Sequence, residues 1–558
     1  MSVRLRVALL LVPALLAAVR PAGAQRTLGV GDDAATLPTG RLRFSVGGLW
    51  DRANERFDAD GKLRALGATA SPWNGAYDPR LTTASAVVTT LSGLPAFDAS
   101  LGSLATTRRD ASTDALLGAE YGVRPWLTVG ARVQVANHGI EPYVVLNPLG
   151  FEGSVGLNPA WHKTDARDRN ALLVSQFDSA VAQTSRRLTT CQASPATAGC
   201  APIIANLAGA QSLVTTASAF ADALNTLYGG RKNAAGLPFV PVANGAAQLA
   251  INQRMLGYRD QFAALGNNAI GTTGPAAAAL MSPADLATVL TDSLYGYMLR
   301  PLRAVHAYGV GDISASVKLR VYQTVGNDTA TIRGFAMRQA VGVSLRLNGG
   351  ASPAANEPFA PTAGSGSGGF AVQSFTDLFY GARIAATVVV GLDQSLAQAY
   401  AARIPSANAP SVGGVPFPLI FADREVRLSR TPGSRVDIAV TPRVALTGNI
   451  WLGAGWTYAT QGADTWTTTA LSTTGTNAAS AIASEAPSWA AATNWTEQRL
   501  VLGGTYSTVE AANEGRARVA FDVTFQHLQT IAGSGWRVPH LSRDIVTVRW
   551  YPHVWWRR

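Results

Sequence analysis

The chain is 558 residues long, carries 46 Lys and Arg against 35 Asp and Glu for a formal charge of +11, and is only 15% charged, with 55 glycines and 13 tryptophans. No basic block or recognition motif accompanies the positive balance, so nucleic acid is excluded as its reason. A composition this apolar, with no stretch of membrane-helix length after the first residues, must bury its hydrophobic side chains in a core or turn them outward to lipid.

Arg4 and Arg6 precede an apolar run from Val7 to Val19, and Ala22-Gly23-Ala24 supplies the small residues of a cleavage site. Residues 1–24 therefore read as a Sec-type signal peptide, with the mature chain starting near Gln25. Removing the leader takes away Arg4, Arg6 and Arg20, leaving 43 basic residues against 35 acidic. Export also places the only two cysteines, Cys191 and Cys200, where thiols oxidise, so a disulfide is expected; their spacing excludes a CxxC redox or zinc site.

Residues 25–40 have weak periodicity and read as a periplasmic lead-in. From Arg41 to Trp50, Leu42, Phe44, Val46 and Trp50 alternate against Arg41, Arg43 and Ser45, a first strand. A long polar segment, 51–113, follows. Ala115–Val123 and Trp126–Val135 then form a hairpin around Arg124-Pro125. After a loop to about 161 the period changes from 2 to 3.6: Asp165–Thr190, Pro202–Tyr228, Gln248–Leu265 and Pro283–Arg300 read as amphipathic helices, the last capped by Ser282. Strands resume with Asp312–Tyr322, Arg333–Leu347, Leu378–Leu392 and roughly Phe421–Arg430, the Gly/Ser run 364–369 being a flexible loop.

The clearest stretch is 434–458. Val436, Ile438, Val440, Val444 and Leu446 share one parity, Thr447-Gly448-Asn449 turns the chain, and Ile450, Leu452, Ala454, Trp456 and Tyr458 restart the pattern. Strands of about ten residues with aromatic ends fit a membrane-crossing barrel. Gln498–Ser507, Arg516–Leu528 and Ile545–Trp556 complete the series. The expectation is an all-β, transmembrane antiparallel β-barrel of about 12 strands, alternatively 14, with an inserted α-helical subdomain. Its parts are first barrel strands and a long loop in 25–161, the helical insertion 162–306 in an extracellular loop, and the remaining strands in 307–558. One segment resists this count: 393–420 falls on the short-turn side, so either a strand has been missed or the segment forms a plug or periplasmic excursion.

The pieces EYGVRPWLTVGARVQV (120–135) and YGVGDISASVKLRVY (308–322) resemble strand-turn-strand and strand-entry patterns of outer-membrane transporters related to the fatty-acid and aromatic-hydrocarbon uptake channels. The resemblance covers about thirty residues and implies an outer-membrane transporter. The chain departs from the usual aromatic barrel terminus, since Arg557-Arg558 follow Trp556.

No catalytic motif surrounds any of the six histidines, and neither a cofactor nor a metal site is expected. With apolar parities facing lipid, the expected lumen-lining residues are Arg132, Lys318, Arg320, Arg338, Arg346, Arg383, Arg435, Asp437, Arg443, Arg499, Arg516, Arg518 and Asp522. Against these cations stand only Glu120, Asp312, Asp437 and Asp522, a balance that calls for water, carboxylates from a plug, or anionic ligands. The leading reading is a passive transporter or channel for small anionic or amphipathic molecules in the outer membrane of a diderm bacterium, with lipid and the barrel-assembly machinery as partners. A barrel that merely anchors a partner-binding helical domain is the alternative, and an outer-membrane hydrolase the third.

Overall fold

The computed structural model describes residues 28–552 apart from 149, 151, 231–234, 296, 326–331, 351–353, 358, 405–410, 413–414, 417–423 and 471–492; the leader 1–24, His553 and the terminal Trp556-Arg557-Arg558 lie outside the described residues. Twelve antiparallel strands form a ring: β1 (Leu42–Ala53), β2 (Ser100–Arg124), β3 (Leu127–Leu146), β4 (Val305–Gln323), β5 (Phe335–Leu347), β6 (Gly369–Tyr380), β7 (Ile384–Ser395), β8 (Arg435–Ala445), β9 (Ile450–Gln461), β10 (Trp495–Ser507), β11 (Phe521–Ser534) and β12 (Ser542–Trp550). Val46 of β1 opposes Val548 of β12 on one side and Leu117 of β2 on the other, which closes the wall and removes its edges. A thirteenth strand, Gly67–Asn74, pairs with the far end of β2.

The alternation does the sorting. On β5, Phe335, Val343, Leu345 and Leu347 are exposed, while Arg338, Ala340 and Gly342 between them are buried inside. Exposed aromatics gather near both ends of the band, among them Phe44, Phe335, Tyr380 and Trp550 at one and Trp50, Phe370 and Trp456 at the other. A ring of strands closed on itself pairs its backbone groups within the apolar, aromatic-rimmed band without needing water there, so this is a transmembrane β-barrel.

Connections 125–126, 381–383 and 446–449 are tight and stand at one end; 54–99, 147–304, 348–368, 396–434 and 462–494 stand at the other. The strand number agrees with the expectation, but two memberships do not. Leu378–Leu392 is a hairpin, with β6 and β7 joined through Gly381 at φ +61, so β6 had been missed. Phe421–Arg430 is not in the wall: Arg424–Thr431 pairs with Gln398–Ile404 and Thr465–Ala470 in a separate three-stranded sheet. With both corrected, 396–434 joins the long-loop side and the difficulty over 393–420 disappears.

The helical part is larger than the insertion. Its helices are α1 (Pro79–Ser92), α2 (Thr164–Ala193), α3 (Ala201–Ala205), α4 (Leu207–Tyr228), α5 (Ala246–Ala264) and α6 (Pro283–Thr291), with α7 (Val509–Asn513) apart in a tight connection. The α1 helix comes from the segment 51–113 that reads as polar loop: its Thr- and Ser-rich surface masks Leu81, Ala84, Val88 and Leu91, which are all buried. Asp78 caps its first turn and Gly93, at φ 72, ends it. Val88 and Leu91 share a core with Phe177 of α2, Phe220 of α4 and Met255 of α5. α6 is shorter than the periodicity 283–300 suggests, stopping at Asp292, though Ser282 and Asp285 do form the capping box at its start. Cys191 and Cys200 are bonded, with Cα atoms 5.4 Å apart, between α2 and α3.

This cap is fastened to the wall. β2 and β3 run on beyond their neighbours, and Leu101 and Leu104 of β2 enter a second core with Trp73, Leu81, Leu290, Tyr295 and Tyr297. Arg80 is its polar centre, paired with Asp78 at 2.6 Å, donating to the Tyr295 carbonyl at 2.7 Å, and lying 5.5 Å from the Phe239 and Tyr297 rings. The Tyr295 hydroxyl meets His162 Nε2 at 2.5 Å, and burial pushes its pKa up to about 12.

Candidate functional site

Residues 28–37, the segment that reads as a lead-in, run across the lumen at the short-turn end as a plug. The correction has a physical cause: the segment is held mainly through its backbone, so it needs no side-chain period. Leu28, Val30, Ala34 and Leu37 are buried. Leu28 sits among Phe379, Ala385, Ala445 and Trp451 beside the tight connections 381–383 and 446–449, and Leu37 packs with Val509, Ala520 and Tyr551 on the opposite side. Between them Gly31 N–H donates to Gln526 Oε1 (3.1 Å), Ala34 N–H to Asp377 Oδ2 (3.0 Å) and Leu37 N–H to Thr128 Oγ1 (2.8 Å). The fit leaves no room at Gly29: at φ +85, an added Cβ would stand 2.0 Å from Thr505 Oγ1.

Charges lock this plug. Arg443 donates through Nε to the Val30 carbonyl at 2.8 Å and through a terminal nitrogen to the Asp32 carbonyl at 3.1 Å. Lys318 Nζ reaches the Asp32 carboxylate at 3.0 Å and the Asp33 carbonyl at 2.8 Å, 4.1 Å from the Phe375 ring. Arg338, 1% exposed, holds Asp377 at 2.6 and 2.8 Å, and Asp377 also accepts from Thr387 at 2.7 Å. Burial alone would raise the pKa of Asp33, yet Arg338, Lys318 and the amides of Leu28 and Ala35 bring it well below the ordinary carboxylate range.

The lopsided charge count does not survive. Arg346 pairs with Asp393 at 3.1 Å, Arg499 with Glu497 at 2.7 Å, Arg435 with Asp437 at 2.7 Å, and Arg549 with Asp522 at 3.0 Å. Asp51 takes Arg543 at 2.6 Å, Asp114 takes His138 at 3.1 Å, and Glu120 takes Arg43. Asp51, Asp114, Asp377, Asp393 and Glu497 each lie one residue beyond a strand boundary drawn from alternation, so the count lost the acids and kept the arginines. Three expected lumen residues are not on lumen-facing strand positions. Arg383 is exposed in the 381–383 turn, and Arg516 and Arg518 are exposed in the connection before β11, which starts only at Phe521, with Arg516 paired to Glu514. Arg320 faces Arg338, and one of its terminal nitrogens has no hydrogen-bond partner among the described residues.

Above the plug the barrel is not packed solid. A cavity of about 410 Å³ lies between residues 29–35 and the walls of β1–β6, β11 and β12, lined by Ser45, Ser314, Ser316, Ser344, Gln373 and Thr547 among others. Arg132 opens into it with a side chain 59% exposed, 3.9 Å from Glu120. Among the described residues no group of three or more His, Cys, Asp and Glu is placed to hold a metal, and no histidine is hydrogen-bonded to a serine. His527, on the outer parity, pairs with Asp544 at 2.8 Å.

A closed barrel with an apolar exterior, a cavity lined in part by serines and charged side chains, and a plug defines the class: a transmembrane barrel of outer-membrane type. No protein-family model and no curated protein matches the sequence. Solved structures match in outline. They include the COG4313 outer membrane channel from Pseudomonas putida F1 (7% identity, 94% of this chain and 99% of that chain, TM-score 0.41), the P. putida toluene transporter TodX (9%, 96% and 100%, 0.23) and a Pseudomonas aeruginosa FadL homologue (7%, 97% and 99%, 0.26). The last two are of the channel kind that residues 120–135 and 308–322 resemble. The barrel assignment rests on the strand pairing itself, not on these scores.

Proposed function

We propose that the protein is a passive outer-membrane channel for small anionic or amphipathic molecules, held shut at its short-turn mouth by residues 28–37. The cavity of about 410 Å³ carries this reading, because a barrel serving only as an anchor has no reason to keep a serine-lined space between a plug and its own wall. The remaining mobile positive charge favours anions: Arg132 is solvated, and Lys318 would be freed if the plug withdrew. The cap, fastened over the long-loop end through β2, serves as the filter on the extracellular side. Export by the Sec-type leader and lipid around the apolar band complete the reading.

Swelling, in small organic anions, of proteoliposomes carrying the barrel without residues 28–37 tests it, because the intact protein is held shut. Swelling above that of protein-free vesicles is expected, with a lower rate after Arg132→Gln and Lys318→Gln together; swelling no faster than the control removes the channel and leaves the anchor reading.

A further inference from the structure

The barrel wall is incomplete beside the cap. β3 pairs with β4 as far as Val305, but β5 pairs with β4 only as far as Ile313, opposite Leu347. The second edge of residues 305–312 thus has no strand partner, and its alternate backbone groups face a groove of about 580 Å³. The opposite bank of the groove is formed by Gly350, Ala354, Glu357, Phe359 and Pro361, and its end is the segment Arg300–Arg303 that brings the chain down from the cap.

Two kinds of group converge there. Leu302 and Phe359 form an apolar bed, and both pack against the second cap core, so the bed is fixed in place. Pro142, Pro301 and Pro361 stiffen its sides. Over this bed stand two guanidinium groups. Arg300 is occupied, its side chain paired with Glu357 and its N–H donating to the Asn356 carbonyl at 3.0 Å. Arg303 is exposed and has no hydrogen-bond or ion-pair partner among the described residues. His306 and Tyr308, both exposed, line the groove as well, and Glu357 is the acid among its lining residues. The groove is therefore apolar below, bears one unneutralised arginine above, and has the volume of a small-molecule site.

We propose that this groove is the entry site of the channel and takes a small amphipathic carboxylate, with its apolar body on Leu302 and Phe359 and its carboxylate forked onto Arg303. A single planar guanidinium matches a carboxylate through two parallel hydrogen bonds, whereas a neutral molecule of the same shape leaves that donor pair unused. The proposal rests on the channel reading for its purpose, but binding and passage are measured separately.

The test is titration of the purified, detergent-solubilised protein with benzoate and with benzamide, followed by ligand-observed NMR. Benzoate is expected to bind about tenfold more tightly than benzamide. Arg303→Gln should abolish that difference, and Glu357→Gln, which releases Arg300, should tighten benzoate further. Arg303 is a surface residue outside the strands, so heat-modifiable migration on gels checks that the variant barrel is intact. Equal binding of the two ligands, or a benzoate preference that survives Arg303→Gln, overturns the assignment. The expected binding pattern in a protein that fails the swelling test supports the groove and removes the channel.

Discussion

The plug and the cap of this barrel are held in place by different physics. At the short-turn mouth, ten residues without regular secondary structure are held by amides, carbonyls and buried ions: Arg443 on Val30 and Asp32, Lys318 on Asp32 and Asp33, Asp377 on Ala34. At the long-loop end the cap is held by a largely hydrophobic core, in which α1, α6, the strand Gly67–Asn74 and the overhang of β2 share Trp73, Leu81, Leu101, Leu104 and Leu290 around the Arg80–Asp78 pair. Buried ion networks are expensive to form and unforgiving of a missing member. A core made mostly of apolar side chains loses stability gradually as single contacts are removed. The difference teaches which end can switch: a polar clamp releases as a unit when one ion is removed, while an apolar cap stays docked.

The largest expected effect follows from breaking that unit. Arg338→Ala leaves Asp377 and Asp33 facing each other without their shared cation, at a cost of about 3–5 kcal/mol. Chemical unfolding in detergent should show it, and the loss should exceed that from Leu290→Ala in the cap; a smaller loss would show that the clamp is not the stiffer closure. Next comes the wall that both closures share. Val343→Arg places a charge on the lipid face and should cost about 2–4 kcal/mol, whereas Ser344→Arg points into the cavity and should cost far less. Equal costs would reverse the assigned parity.

Reducing Cys191–Cys200 should loosen the cap alone. Closing a loop across a sequence separation of 9 residues is worth roughly 2–3 kcal/mol to the helical hairpin, so proteolysis near α3 should accelerate while the barrel keeps its heat-modifiable mobility.

The smallest effect is acidic. Because Asp33 ionises below its ordinary value of 3.8, its contribution is fully present above that value and is lost only as pH falls through the depressed one. The amides of Leu28 and Ala35, which donate to Asp33, should keep their hydrogen-exchange protection, corrected for intrinsic rates, from pH 7 to 5. Fraying within that window would contradict the assignment of Asp33 to the clamp.

Much of the barrel could be read from alternation, because lipid and lumen impose a strict period of two: the hairpins 115–135 and 434–458 lie where their parities put them. β6 was hidden because Ser374 and Thr376 occupy its outward positions, so its apolar stripe is interrupted in the middle. The ion pairs were hidden for a different reason. Ending a strand at its first charge discards the residue that neutralises the arginine across the sheet, as with Asp377, Asp393 and Glu497. The plug left almost no trace, since Leu28–Leu37 is recognised through main-chain groups, and the two adjacent acids Asp32 and Asp33 were its only signal.

Single-channel conductance in planar bilayers, with and without residues 28–37, tests the central claim most directly. The intact protein should be closed or nearly so, and the shortened one should conduct steadily, with anions favoured in a salt gradient. A shortened barrel that folds, inserts and still passes no current would contradict the account, because the barrier would then lie in the wall or the cap and the charged clamp would be structural only.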